Sequence, residues 1–142
     1  MKIVDVNVLL YAINEDAPQH RKAREWLERT LSGAEPVGFD WTVLLAFLRL
    51  STRSAIFPHP LRLGQAFDVV RSWLDQPCAE IVDAAEAHLD VLETLLEPLG
   101  SAGNLTADAH LAALSLEFGA ELCSCDSDFS RFPGVRWVNP LA

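Results

Sequence analysis

Apolar residues along this chain alternate between short β-branched runs and longer segments that repeat every three to four positions. Ile3-Val4, continued by Val6, is bounded by polar residues and reads as a buried strand. Asn7 then opens a short helix through Val8-Leu9-Leu10-Tyr11-Ala12, ended before Pro18. From His20, the residues Ala23, Trp26, Leu27 and Leu31 keep helical spacing until Gly33 stops it. Pro36-Val37-Gly38-Phe39 is a brief second strand, and Trp41 to Leu50 a helix. Ile56 to Leu61, with Pro58 and Pro60, is a loop; Leu63, Ala66, Phe67, Val70, Trp73 and Leu74 mark an amphipathic helix. Ala79 to Val82 is a third strand, followed by a helix lined by Leu89, Leu92, Leu95 and Leu96 that closes at Pro98 and Gly100. Asn104 is the expected N-cap of the helix carrying Asp108, His110, Leu111, Leu114 and Phe118, with Gly119 past its end. Ala120 to Cys123 is a fourth strand, Ser127 to Phe132 a helical turn, and Val135 to Val138 a last strand. Strands alternating with helices predict an α/β fold, a parallel sheet covered on both faces.

The Trp41–Leu50 helix is apolar nearly all round, so it is expected to be buried on several sides and to offer a self-association surface. Trp26, Phe67 and Trp73 on neighbouring helices are expected to extend that surface. The 142 residues are read as one domain with its own core. No apolar run approaches the ~20 residues needed to span a bilayer. Asp5 interrupts the first apolar stretch with no cleavage site after it, so no signal peptide is expected. Cys78, Cys123 and Cys125 form neither a disulfide framework nor a zinc spacing, and a reducing cytoplasm is the expected compartment. The net charge of −9 argues against broad electrostatic capture of nucleic acid. Positive charge is nevertheless clustered at Arg21, Lys22, Arg24 and Arg29, and at Arg49 and Arg53. Such stripes either hold a phosphate backbone or are simply solvated helix faces.

Acids recur where apolar segments meet turns: Asp5 after the first strand, Asp126 after the fourth, and Asp108 in the first turn of the helix between them. Each has a structural explanation by itself, because Asp5 and Asp126 can cap helices and Asp108 is favoured by a helix dipole. Their joint placement is not explained by capping, since strands one and four flank the order reversal of a doubly wound sheet, where side chains converge on one crevice. Two carboxylates 4 Å apart repel by about 4 kcal/mol at an effective dielectric of 20. A divalent cation offsets this, and magnesium prefers oxygen ligands while keeping waters and substrate phosphates. Asn7, Thr106 and Ser124 are candidates for orienting those acids, whereas Asn104 is read as a cap. His110 lies two residues after Asp108 on another helical face and is read as structural or partner-facing. No glycine-rich phosphate loop is present.

Val4-Asp5-Val6-Asn7-Val8-Leu9-Leu10, Leu105-Thr106-Ala107-Asp108-Ala109-His110-Leu111-Ala112-Ala113-Leu114 and Cys123-Ser124-Cys125-Asp126-Ser127-Asp128-Phe129 together resemble PIN-domain toxins of the VapC type, and the tail from Phe132 to Leu141 is similar to a subgroup of them. The resemblance runs nearly end to end. It implies an α/β/α sandwich with a central parallel sheet, usually a homodimer. It also implies an endoribonuclease toxin that hydrolyses RNA phosphodiester bonds with Mg2+ or Mn2+ and is inhibited by a VapB-type antitoxin. Residue by residue, Asp5 and Asp108 match metal-binding positions, Asp126 matches the third acid, and Asp128 matches a further acid beside the site.

One position departs from the pattern. Such toxins commonly carry a glutamate three residues before an arginine in the third helix; here the arginine is Arg49 and the glutamate position reads Ala46. Asp40 is the nearest upstream acid but precedes the helix. Ala46 puts a second metal in doubt and supports a rival reading, a degenerate domain that binds RNA or a partner without cutting. A phosphoaspartyl hydrolase with Asp5 as nucleophile is weaker, because position 7 is Asn and the only lysines are Lys2 and Lys22.

Overall fold

The computed structural model describes residues 1–142. The chain runs β1 (Lys2–Val4), α1 (Val6–Ile13), α2 (His20–Leu31), β2 (Val37–Phe39), α3 (Trp41–Ser51), α4 (Leu63–Leu74), β3 (Ala79–Ile81), α5 (His88–Leu96), α6 (Thr106–Glu117), β4 (Glu121–Cys123) and β5 (Trp137–Val138). The five strands form one sheet in the order β3-β2-β1-β4-β5, and every pairing is parallel. The chain therefore leaves β1 toward β3 on one side and returns to β4 and β5 on the other. The order reverses between β1 and β4, as expected of a doubly wound sheet. Helices α1 to α4 pack on one another, and α5 packs on α6, giving the α/β/α sandwich.

Past the Lys2–Glu121 ion pair at their starts, the central strands are apolar because both faces are covered. Ile3, Val4, Val37, Phe39 and Leu122 are completely buried, and the core continues into Phe47, Trp73 and Phe129. The Trp73 ring stacks on Phe39 at 6.2 Å and meets Phe47 edge-on at 4.8 Å, locking α3 and α4 onto β2. A Cβ at Gly38 would lie 2.8 Å from Val82 Cγ1 and 3.1 Å from Ile3 Cγ1, so glycine is what lets these side chains close over β2.

Four expectations change. Val6 belongs to α1, not to the first strand, because Asp5 accepts its amide at 2.7 Å and turns the chain into the helix. Asn104 does not cap α6: Gly103–Leu105 form a 3₁₀ turn, and the capping position falls on Leu105 with no side-chain bond. Trp73 is core rather than surface. The third helix is two-sided, with Val43, Leu44 and Phe47 inward and Trp41 and Leu45, one turn apart, about half exposed.

Candidate metal centre at the carboxyl edge of the sheet

Parallel pairing of Val4 with Cys123 makes β1 and β4 end side by side, so Asp5 and Ser124 emerge as neighbours. Asp5 is buried, and both of its carboxylate oxygens accept hydrogen bonds. One carboxylate oxygen accepts the Val6 amide at 2.7 Å; the other accepts the Ser124 hydroxyl at 2.6 Å and the Asn7 amide at 3.3 Å. Ser124 Oγ in turn accepts from Asn7 at 3.1 Å and from the Asp126 amide at 3.0 Å. Asn7 Oδ1 accepts the Cys125 amide at 3.1 Å. Asn7 and Ser124 thus stitch the start of α1 to the turn after β4. Asp126 caps the 3₁₀ turn Ser127–Arg131 by accepting the Asp128 amide at 2.9 Å, which leaves its other oxygen unspent.

Asp108 comes from the first turn of α6 and meets this turn. Carboxylate oxygens of Asp108, Asp126 and Asp128 all lie within 4.8 Å of one another, each residue half-buried. Asp5 sits beneath them. Burial raises the Asp108 pKa to about 6, assisted by the charges of Asp126, Asp5 and Asp128. Burial also raises Asp5, with the Ser124 and Val6 hydrogen bonds opposing it and Asp126 adding to it. The protein brings one cation to the trio, Arg131, at 3.9 Å from Asp128 on an exposed rim. An arrangement of gathered, half-buried carboxylates with free oxygens and little protein charge to balance them suits a divalent cation with oxygen ligands.

Of the expected orienting residues, Asn7 and Ser124 enter the network. Thr106 donates to Gly103 O at 2.9 Å and Asn104 is exposed. Ala46 is half-buried on α3. Sequence reasoning did not connect Asp40 with His110: Asp40 follows β2 as Asp5 follows β1, caps α3 through the Thr42 amide at 3.0 Å, and accepts His110 Nε2 at 3.1 Å. Burial pushes Asp40 up, but the His110 and Thr42 hydrogen bonds outweigh it and hold the carboxyl below the usual range. The bond to Asp40 raises His110 against its own burial. The signal available in sequence was positional, an acid at the carboxyl end of β2; its partner is 70 residues away. A cleft of about 290 Å³ lies elsewhere, lined by apolar residues such as Leu27 and Trp73 and by polar ones such as Arg24 and Glu28, and by none of these acids.

The PIN domain family model matches residues 2–135. Ribonuclease VapC37 of Mycobacterium tuberculosis is 49% identical over 142 residues, covering 100% of this chain and 99% of that protein. Ribonuclease VapC33 from the same species is 41% identical over 141 residues, covering 99% of each. Among solved structures, the fold is similar to one in the VapBC2 crystal structure from Rickettsia felis, bound to a DNA fragment from their promoter. That match has a TM-score of 0.71 at 20% identity, over 97% of each chain. It is also similar to a chain of VapBC-1 from nontypeable Haemophilus influenzae, with a TM-score of 0.69 at 12% identity over 99% of this chain and 98% of that one. With a family model covering nearly the whole chain and full-length relatives this similar, the chain belongs to the PIN domain family, in its VapC group.

Proposed function

We propose that this chain, acting as a single domain, is a metal-dependent endoribonuclease and the toxin of a toxin–antitoxin pair, working in the cytoplasm on RNA. The observation that carries the reading is the meeting of Asp108, Asp126 and Asp128 above buried Asp5, at the point where the sheet order reverses. The full-length relatives, ribonucleases of the VapC group, support the activity. Asp5, Asp108 and Asp126 are assigned as the residues that hold Mg2+, or Mn2+, with Asp128 completing the acidic wall. A divalent cation there supplies Lewis-acid stabilisation of the phosphate and lowers the pKa of attacking water.

The chain's own residues arrange the site. Ser124 and Asn7 hold Asp5 in one rotamer, and the Asp128 amide holds Asp126, so little reorganisation is needed when a cation arrives. Asp108 would be the most adjustable of the ligands, because burial and its acidic neighbours disfavour its anion until a cation balances it. No histidine or lysine contacts the trio, so the site lacks a side-chain general base other than its own carboxylates. The surface outside is acidic overall, which leaves binding of RNA to local contacts rather than bulk charge. A VapB-type antitoxin would inhibit by placing an arginine against the carboxylates, whose geometry its planar fork matches.

The test is cleavage of total cellular RNA by purified protein with mapped ends, with and without Mg2+. Discrete magnesium-dependent cuts are expected, and Asp108→Asn, which keeps the shape but removes a charge, should abolish them while the protein stays folded. Full activity in that variant would sink the assignment. Ala46 favours a second reading, in which the domain binds RNA or its partner without cutting; that reading gains if wild-type protein shows RNA retention and no cleavage in Mg2+ or Mn2+.

A further inference from the structure

We propose that a side-chain relay from Glu117 through His88 and His110 to Asp40 positions Asp108, by fixing the rotation of α6 about its axis. The inference rests on the assignment of Asp108 as a metal ligand. Glu117 accepts the Ala85 amide at 2.7 Å with one oxygen and contacts His88 Nδ1 at 2.5 Å with the other. His88 Nε2 lies 2.9 Å from His110 Nδ1, and His110 Nε2 lies 3.1 Å from Asp40. The two rings are thus joined end to end between two carboxylates, each ring nitrogen of both histidines having a partner. Both acids are nearly sealed from water, at 8% and 7% side-chain exposure, and charge-assisted bonds of this kind are the strong ones.

The relay grips α6 where nothing local does. The N-terminus of α6 has no side-chain cap, yet its first turn carries Asp108, which the charges of Asp126, Asp5 and Asp128 repel. His110 and Glu117 are seven residues apart and share a helical face, whereas Asp108 and His110 are two apart and lie on nearly opposite flanks. One flank therefore faces the trio and the other is tied to the start of α5 and to the cap of α3. Asp40 itself is held by Thr42, so the anchor belongs to the sheet edge that also carries Asp5. Untying His110 frees the helix to roll and carries Asp108 away from Asp126.

Mn2+ binding to the purified full chain, followed by electron paramagnetic resonance beside thermal melts, tests this. His110→Ala should weaken Mn2+ binding by about tenfold while circular dichroism shows a folded protein, a loss of the size expected for supporting residues around a metal. His110→Gln, whose terminal amide still donates toward Asp40, should recover most of it. A purely structural role predicts lower melting temperatures with unchanged affinity. Wild-type affinity in folded His110→Ala, or equal losses in the Ala and Gln variants, overturns the proposal. If His110→Ala does not fold, His88→Ala decides, since it removes the middle of the relay and leaves Asp40 and its cap of α3 in place; weaker Mn2+ binding supports the relay and wild-type binding refutes it. Asp108→Asn separates the two layers. Should it bind Mn2+ like wild type, the ligand assignment itself fails; should it lose Mn2+ while His110→Ala does not, only the positioning claim fails.

Discussion

Asp5 and Asp126 each do two jobs at once, turning the backbone into a helical element and facing the crevice. A carboxylate has more acceptor sites than a cap uses, so the two roles do not compete. Asp108 makes no such cap, which leaves it the most responsive member of the group to its neighbours' charge. Its pKa lies above the ordinary 3.8, at about 6, because burial and then Asp126, Asp5 and Asp128 disfavour its anion. The sign follows from linkage: the fold binds this proton more tightly than the unfolded chain does. Metal-free protein should therefore lose stability as pH rises from about 4 to about 6, and the penalty should be fully present above that window. Mn2+ should reverse it, with affinity falling as pH drops below about 6 and a proton competes for Asp108. Melting temperature against pH, compared with Asp108→Asn, checks this; curves of the same slope for both proteins across the window would assign the effect elsewhere.

At the scale of elements, the site is precise because short strands are clamped from both sides. Gly38 is the tightest point: its missing Cβ admits Val82 and Ile3, both completely or almost completely buried. Gly38→Ala should destabilise the fold by about 1–3 kcal/mol through overpacking, read from urea denaturation; an unchanged midpoint would mean that β3 gives way easily. The third helix poses a different question. Val43, Leu44 and Phe47 form its buried inner face, with Phe47 against Trp73, and Ala46 is half-buried. If Ala46 borders the crevice, Ala46→Glu should tighten Mg2+ or Mn2+ binding or add a second site. Titration calorimetry with neither change would show that this turn of α3 faces away from the cation.

For the whole molecule, some of the exposed large apolar residues gather on adjacent helices, Trp41 and Leu45 on α3 and Leu63 and Phe67 on α4, while others, such as Leu89, Leu116 and Phe118, lie apart from them. We propose that this face pairs two copies of the chain, since large apolar side chains grouped on a surface mark interaction sites. Light scattering should give twice the mass calculated from the sequence, and Leu45→Glu should reduce it to one copy; a strict monomer for the wild type defeats the dimer. Adding a cognate VapB-type antitoxin should suppress RNA cleavage, and undiminished cutting within a stable complex would defeat inhibition. No helix is long and apolar enough to cross a membrane.

Local pattern determined the element order, the parallel α/β architecture and the three acids that end up near the sheet's reversal, because strand and helix periodicity and turn residues are written in neighbouring positions. It also offered Asn7, Thr106 and Ser124 as orienting partners, each within two residues of a crevice acid, of which Asn7 and Ser124 enter the network and Thr106 does not. Only the tertiary structure decided which carboxylates actually meet: Asp128 joins Asp108 and Asp126, while Asp5 sits below them with both oxygens engaged. It decided that Trp73 is core, since amphipathic spacing marks a helix's apolar face without saying whether sheet or solvent lies opposite. It placed the α6 boundary at Thr106 despite the good capping residue at Asn104, because the preceding 3₁₀ turn supplies the first turn's geometry instead. And it joined Asp40, His88, His110 and Glu117, residues drawn from three separate stretches of chain. Contacts of that kind depend on how helices roll against a sheet, a property of packing that no local run of residues encodes.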